Sequence, residues 1–130
     1  MTPQKFYRRV LVETGCASLA EAKRATAAVF HALRDRLTPS EADQAVAQLP
    51  RELKTVWWEG EDDEARRPLK MHRKDFYTRV QNEAGFGSER EARAATVAVF
   101  AALKAQLSPG EADDIHTQLP RDLKAVWEDA

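Results

Sequence analysis

One cysteine, five scattered glycines and no long apolar run set the first limits on this chain. With Cys16 alone, no internal disulfide can form, and a reducing cytoplasm is the expected location. A reactive thiol needs basic neighbours to lower its pKa, and Thr14-Gly15-Cys16-Ala17-Ser18 supplies none. Cys16 therefore reads as a small apolar filler near a turn. No stretch approaches the roughly 18 apolar residues of a membrane-spanning helix. Residues 1–9 lack the uninterrupted apolar segment of a secretory signal. An excess of one charge is missing too. Twenty basic side chains face 21 acidic ones, a formal net charge of −1, so there is no global electrostatic case for a nucleic-acid or membrane-surface binder. At 130 residues the chain has room for one ordinary domain or two very small ones.

What is present is an internal repeat. Shifted by 70 positions, residues 6–60 align with 76–130 without a gap, and 29 of the 55 pairs are identical. Phe6-Tyr7 falls on Phe76-Tyr77, Gly15 on Gly85, Ala28-Val29-Phe30 on Ala98-Val99-Phe100, and Gln48-Leu49-Pro50-Arg51 on Gln118-Leu119-Pro120-Arg121. The expected organisation is a first helical repeat over 1–60, a charged linker over 61–70 and a second repeat over 71–130. A copy of this size is marginal alone, so the two are expected to pack together.

Each copy reads as four short helices. Thr2-Pro3 combines a cap with a first-turn proline, and the helix it opens stops at Gly15. Ser18 with Glu21, and Ser88 with Glu91, have the spacing of a capping box. Leu19, Ala22, Thr26, Val29, Phe30, Leu33 and Leu37 then recur at three- and four-residue steps, which predicts one apolar stripe. Thr38-Pro39-Ser40-Glu41 and Ser108-Pro109-Gly110-Glu111 each join a cap, a first-turn proline and a third-position acid. Leu49-Pro50 ends that third helix and starts a fourth carrying Leu53, Val56 and Trp57. No alternating pattern or hairpin turn signals a strand. The fold class is all-α, about eight helices in two matching halves.

The pattern Glu21-Ala22, Ala25-Thr26, Val29-Phe30, Leu33, Arg36-Leu37, Glu41-Ala42 and Gln48-Leu49-Pro50 resembles a bacterial helical family, domain of unknown function 2267. The resemblance covers essentially the whole chain. It implies an all-helical cytosolic fold carrying the duplication, and brings no reaction, cofactor or catalytic residue.

The residues themselves show no reactive constellation. His31, His72 and His116 lie in different segments, none repeats between the copies, and they read as surface residues. Asp113-x-x-His116 places two ligand types on one helical face, but the counterpart is Asp43-x-x-Val46, so a di-metal bundle site is not formed. There is no Cys-x-x-Cys, His-Glu-x-x-His or Gly-x-Ser-x-Gly motif and no glycine-rich phosphate loop. No metal, cofactor or catalytic residue is expected. Glu21, Glu41, Glu91 and Glu111 read as first-turn acids that offset the positive helix end.

Three surface features carry functional expectations. Arg9, Arg51 and Lys54 match Arg79, Arg121 and Lys124, and two such basic spots suit an anion between the repeats. Arg66, Arg67, Lys70, His72, Arg73 and Lys74 form a basic cluster, yet Glu61, Asp62, Asp63 and Glu64 precede it and no stacking aromatics accompany it, which argues against nucleic acid. Finally, Leu11, Val12, Leu19 and Trp58 stand where the second copy has Gln81, Asn82, Glu89 and Glu128. These apolar residues are expected to mark a covered surface, packed on the other half or on the linker, or else in contact with a protein partner, itself or another, with Trp58 as the anchor. The leading expectation is a non-enzymatic protein-interaction or self-association module; the alternatives are a small-molecule or anion binder, or an enzyme, with a site between the repeats, and a weak nucleic-acid binder through the basic linker.

Overall fold

A computed structural model describes residues 2–60 and 68–130. Of the expected linker, residues 61–67 lie outside the described residues, Arg66 and Arg67 among them. The chain forms α1 (Pro3–Thr14), α2 (Leu19–Arg36), α3 (Pro39–Ala47), α4 (Arg51–Trp58), α5 (Arg73–Ala84), α6 (Glu89–Gln106), α7 (Pro109–Gln118) and α8 (Arg121–Asp129). There is no strand among the described residues, and no helix there is long and apolar enough to cross a membrane.

The helix ends follow from local chemistry. Thr2 accepts the Lys5 amide at 3.2 Å, with Pro3 at the first helical position. Gly15 ends α1 at a φ of 69° and donates its N–H to the Leu11 carbonyl at 3.0 Å, a left-handed cap that costs glycine least. Ser18 and Ser88 each accept the amide of the third residue, Glu21 and Glu91, at 3.3 Å. At the opposite ends of α4 and α8, which lack the cations of a complete last turn, α2 and α6 supply them. Arg34 donates to the Trp57 and Glu59 carbonyls at 2.7 and 2.8 Å, and Lys104 to those of Trp127 and Ala130 at 2.8 and 2.9 Å.

The core is built on one aromatic chain per half. Phe6 meets Phe30 edge-on at 5.6 Å and Phe30 meets Trp57 at 5.4 Å; Phe76, Phe100 and Trp127 repeat the arrangement at 5.7 and 5.0 Å. Each of these side chains contributes about 1.5–3 kcal/mol of transfer free energy on burial. Thr26 and Thr96, also fully buried, avoid an orphaned hydroxyl by donating back to the Ala22 and Ala92 carbonyls. The stripe foreseen on α2 is buried except at its first member: Leu19 is half exposed, because it sits in the opening turn beyond the core.

The halves interlock. α1 packs on α2 and also on α6, α5 packs on α6 and also on α2, α2 touches α6, and α3 meets α7. One contiguous apolar cluster runs through both.

Candidate functional site

Two places where the halves meet hold polar groups that the fold does not consume. The first is the α3–α7 seam. Gln118 accepts the Thr38 amide at 2.9 Å and donates to the Thr38 hydroxyl at 3.1 Å. Gln48 treats Ser108 in the same way, at 2.7 and 3.1 Å. In a complete capping box the third-position glutamate takes the cap residue's own N–H. Here a glutamine from the other half has taken it, so only half of a box forms at Thr38 and at Ser108. Glu41 and Glu111 are left to turn inward.

They turn toward each other. Glu41 and Glu111 are 6% and 7% exposed, and the Oε1 atom of each is buried without a hydrogen-bond partner among the described residues. With the exposed Asp114 they place one carboxylate oxygen apiece within 4.8 Å of one another. Burial first, then a hydrogen bond with Glu111 and the charges of Glu111 and Asp114, pushes the Glu41 carboxyl up to about 8, because facing carboxylates in a low-dielectric seam cannot both ionise cheaply. The sequence assigned these acids to helix ends, which is where they sit; their meeting was hidden because it joins residues 70 apart.

The second place is a cavity of about 620 Å³ where the Gly15 and Gly85 turns face each other. Its floor includes Ala84, Phe86 and Ala95, and Arg24 and Arg90 reach it from α2 and α6. Neither arginine has an ion-pair or hydrogen-bond partner among the described residues. Two acids line it as well, each with one oxygen on a backbone amide: Glu21 accepts that of Ala17 at 3.0 Å and Glu91 that of Gly87 at 3.1 Å. Cys16 also lines the cavity. Thr14 donates its hydroxyl to the Val10 carbonyl at 2.7 Å and lies 2.7 Å from the Cys16 sulfur, so the thiol proton is directed at the threonine oxygen.

None of the six matched basic residues lines that cavity. Arg9 pairs with Glu13 on its own helix at 3.0 Å. Its counterpart Arg79 crosses to Asp35 of α2, which Arg34 also holds at 2.8 Å. Arg51 and Arg121 are exposed, and Lys54 and Lys124 half-buried. The two arginines that do reach the cavity have alanine counterparts, Ala94 and Ala20, so a search for matched cations passes over them.

The asymmetric apolar residues separate. Leu11 is half-buried against the core. Val12 is 75% and Leu19 50% exposed. Leu19 borders a small cleft with Tyr7, Arg8, Lys23 and Glu52. Trp58 is half-buried against the core, about 9 Å further along α4 than Glu52 at 1.5 Å per residue. Val46 and Trp58 stand where the second half has the ion pair of His116 with Glu128, 2.7 Å apart.

Of the histidines read as surface residues, His72 is exposed and His116 partly so. His31 is not. It is 8% exposed and joins Glu83 of α5 at 2.6 Å and the Val56 carbonyl at 2.7 Å, because α5 packs across α2 and covers it. Lys70, Arg73 and Lys74 are exposed, and the amide of Arg73 donates to Asp122 of α8 at 2.9 Å.

The family model for an uncharacterized conserved protein, DUF2267, matches residues 3–126. No curated protein sequence shows a significant match to the chain.

Proposed function

We propose that the chain, which belongs to the DUF2267 family, is a non-enzymatic cytoplasmic binding module whose cavity between the Gly15 and Gly85 turns takes a small organic anion. The observation that carries this is the pair of uncommitted guanidinium groups, Arg24 and Arg90, on a 620 Å³ cavity contributed by both halves. That volume suits a metabolite-sized ligand, and apolar walls with a few convergent polar groups are the usual lining of such sites. Guanidinium forks favour carboxylates and phosphates, which they hold through two parallel hydrogen bonds. The apolar floor at Ala84 and Phe86 favours a ligand with a hydrocarbon portion over a bare inorganic ion. The test is a thermal-shift screen of mono- and dicarboxylates and organic phosphates, run on the parent and on Arg24→Ala/Arg90→Ala. A midpoint that rises in the parent and stays put in the variant supports the reading. Absence of any shift at millimolar ligand, or an equal shift in both proteins, rejects it.

A second reading rests on Val12 and Leu19, two exposed apolar side chains where the other half carries Asn82 and Glu89. They suit contact with a protein, a second copy of this chain or another. Light scattering of the parent against Val12→Asn/Leu19→Glu tests it: a dimer that the double change converts to a monomer supports self-association. A monomeric parent removes it.

A further inference from the structure

The α3–α7 seam holds a chemistry separate from the anion cavity. We propose that Glu41, Glu111 and Asp114 bind one hard divalent cation there, and that the ion fastens the two halves together. Several observations point to it. The three carboxylate oxygens lie within 4.8 Å of one another, and an ion at the usual oxygen distance of about 2.4 Å touches oxygens up to about 4.8 Å apart. Glu41 and Glu111 are more than nine-tenths buried, and among the described residues the Oε1 atom of each has no donor, the one proton between the two carboxyls being that which Glu41 keeps. A carboxylate oxygen taken out of water without a partner is costly, and the nearest charges here have the same sign.

The fold also removes the donors that could have served. The amides of Thr38 and Ser108, the ordinary partners of a third-position glutamate, are taken by Gln118 and Gln48. Burial leaves Glu41 largely protonated at neutral pH, so a bound cation has to displace that proton; both glutamates sit in the first turns of α3 and α7, whose positive ends offset part of the cost of ionising them. Asp114 is exposed, which leaves the third ligand in contact with solvent and gives the ion a route in. An all-carboxylate set selects calcium, magnesium or manganese over metals that prefer thiolate or imidazole. The first half offers Gln44 at the position of Asp114, so the site has three carboxylates rather than four.

The experiment uses the full chain, stripped with a chelator and titrated with manganese while the free-ion paramagnetic resonance signal is followed. Calcium and magnesium are added in parallel thermal melts. The expected result is one manganese per chain and a melting midpoint raised by calcium. Glu111→Gln and Asp114→Asn should each weaken manganese binding by roughly tenfold or more. Circular dichroism establishes that each variant is helical; if Glu111→Gln does not fold, the exposed Asp114→Asn decides alone. A parent that binds no manganese at millimolar concentration overturns the proposal, as does a folded variant of either kind that binds as tightly as the parent.

Discussion

Gln48, the residue that closes α3, holds both the amide and the hydroxyl of Ser108, the residue that caps α7 in the other half. Gln118 does the same for Thr38, so each half completes a helix start that the other leaves unfinished. Removing a glutamine orphans a cap amide and breaks two hydrogen bonds. Gln48→Ala and Gln118→Ala are each expected to cost roughly 1–2 kcal/mol, read as a lower denaturant midpoint at unchanged slope. Because the two clasps close the same seam, the double variant should depart from the sum of the singles.

Asp35 sets a pH dependence. Burial alone would raise its carboxyl, but hydrogen bonds from Arg34 and Arg79 and their charges outweigh that and hold it below the ordinary value. The folded pKa is therefore the lower one. Its contribution to stability is complete above the unfolded value near 3.9 and is lost as pH falls through the folded value. Asp35→Asn should flatten the acid side of a stability-against-pH curve and lower stability at pH 7 by about 1–3 kcal/mol. An acid limb identical to the parent's would rule the pairing out as a source of stability.

Glycine substitutions should split by backbone geometry. Gly15 and Gly85 have φ of 69° and 74° with open space where a side chain would go, so alanine there meets backbone strain alone. Each change is expected to lower stability by about 1–2 kcal/mol. Gly110, in the first turn of α7 with the same open space and ordinary φ, should gain about 0.5 kcal/mol as alanine. Thermal melts of the three variants check the sign.

A fragment of residues 1–60 should not melt cooperatively as a monomer. α1 would lose α6, α2 would lose α5 and α6, and α3 would lose α7. A chain of about 60 residues has little burial to spare. A monomeric fragment as cooperative as the full protein would make the halves independent units.

The helices were legible in the sequence because their signals are local. Thr38-Pro39-Ser40-Glu41 carries a cap, a proline and an acid within four residues, and α3 starts at that proline. Gly15 likewise ends α1 where its freedom at positive φ is needed. The site was not legible, because its geometry depends on contacts between residues 60 to 80 apart. Nothing near Glu41 shows that Gln118 will take its usual partner. Equivalence between the copies does not extend to their ion pairs. Arg9 and Arg79 are equivalent in sequence, but Asp35 is replaced by Ala105 in the second copy, so only Arg79 finds a partner across the seam.

That replacement makes the two long seams unequal. Where α2 meets α5, His31 and Asp35 reach Glu83 and Arg79. Where α6 meets α1, the corresponding places hold Ala101 and Ala105, and no side-chain hydrogen bond crosses among the described residues. Breathing of the structure should therefore start on the alanine side, with deuterium entering the backbone of α1 before that of α5, and a guest molecule would find its door there.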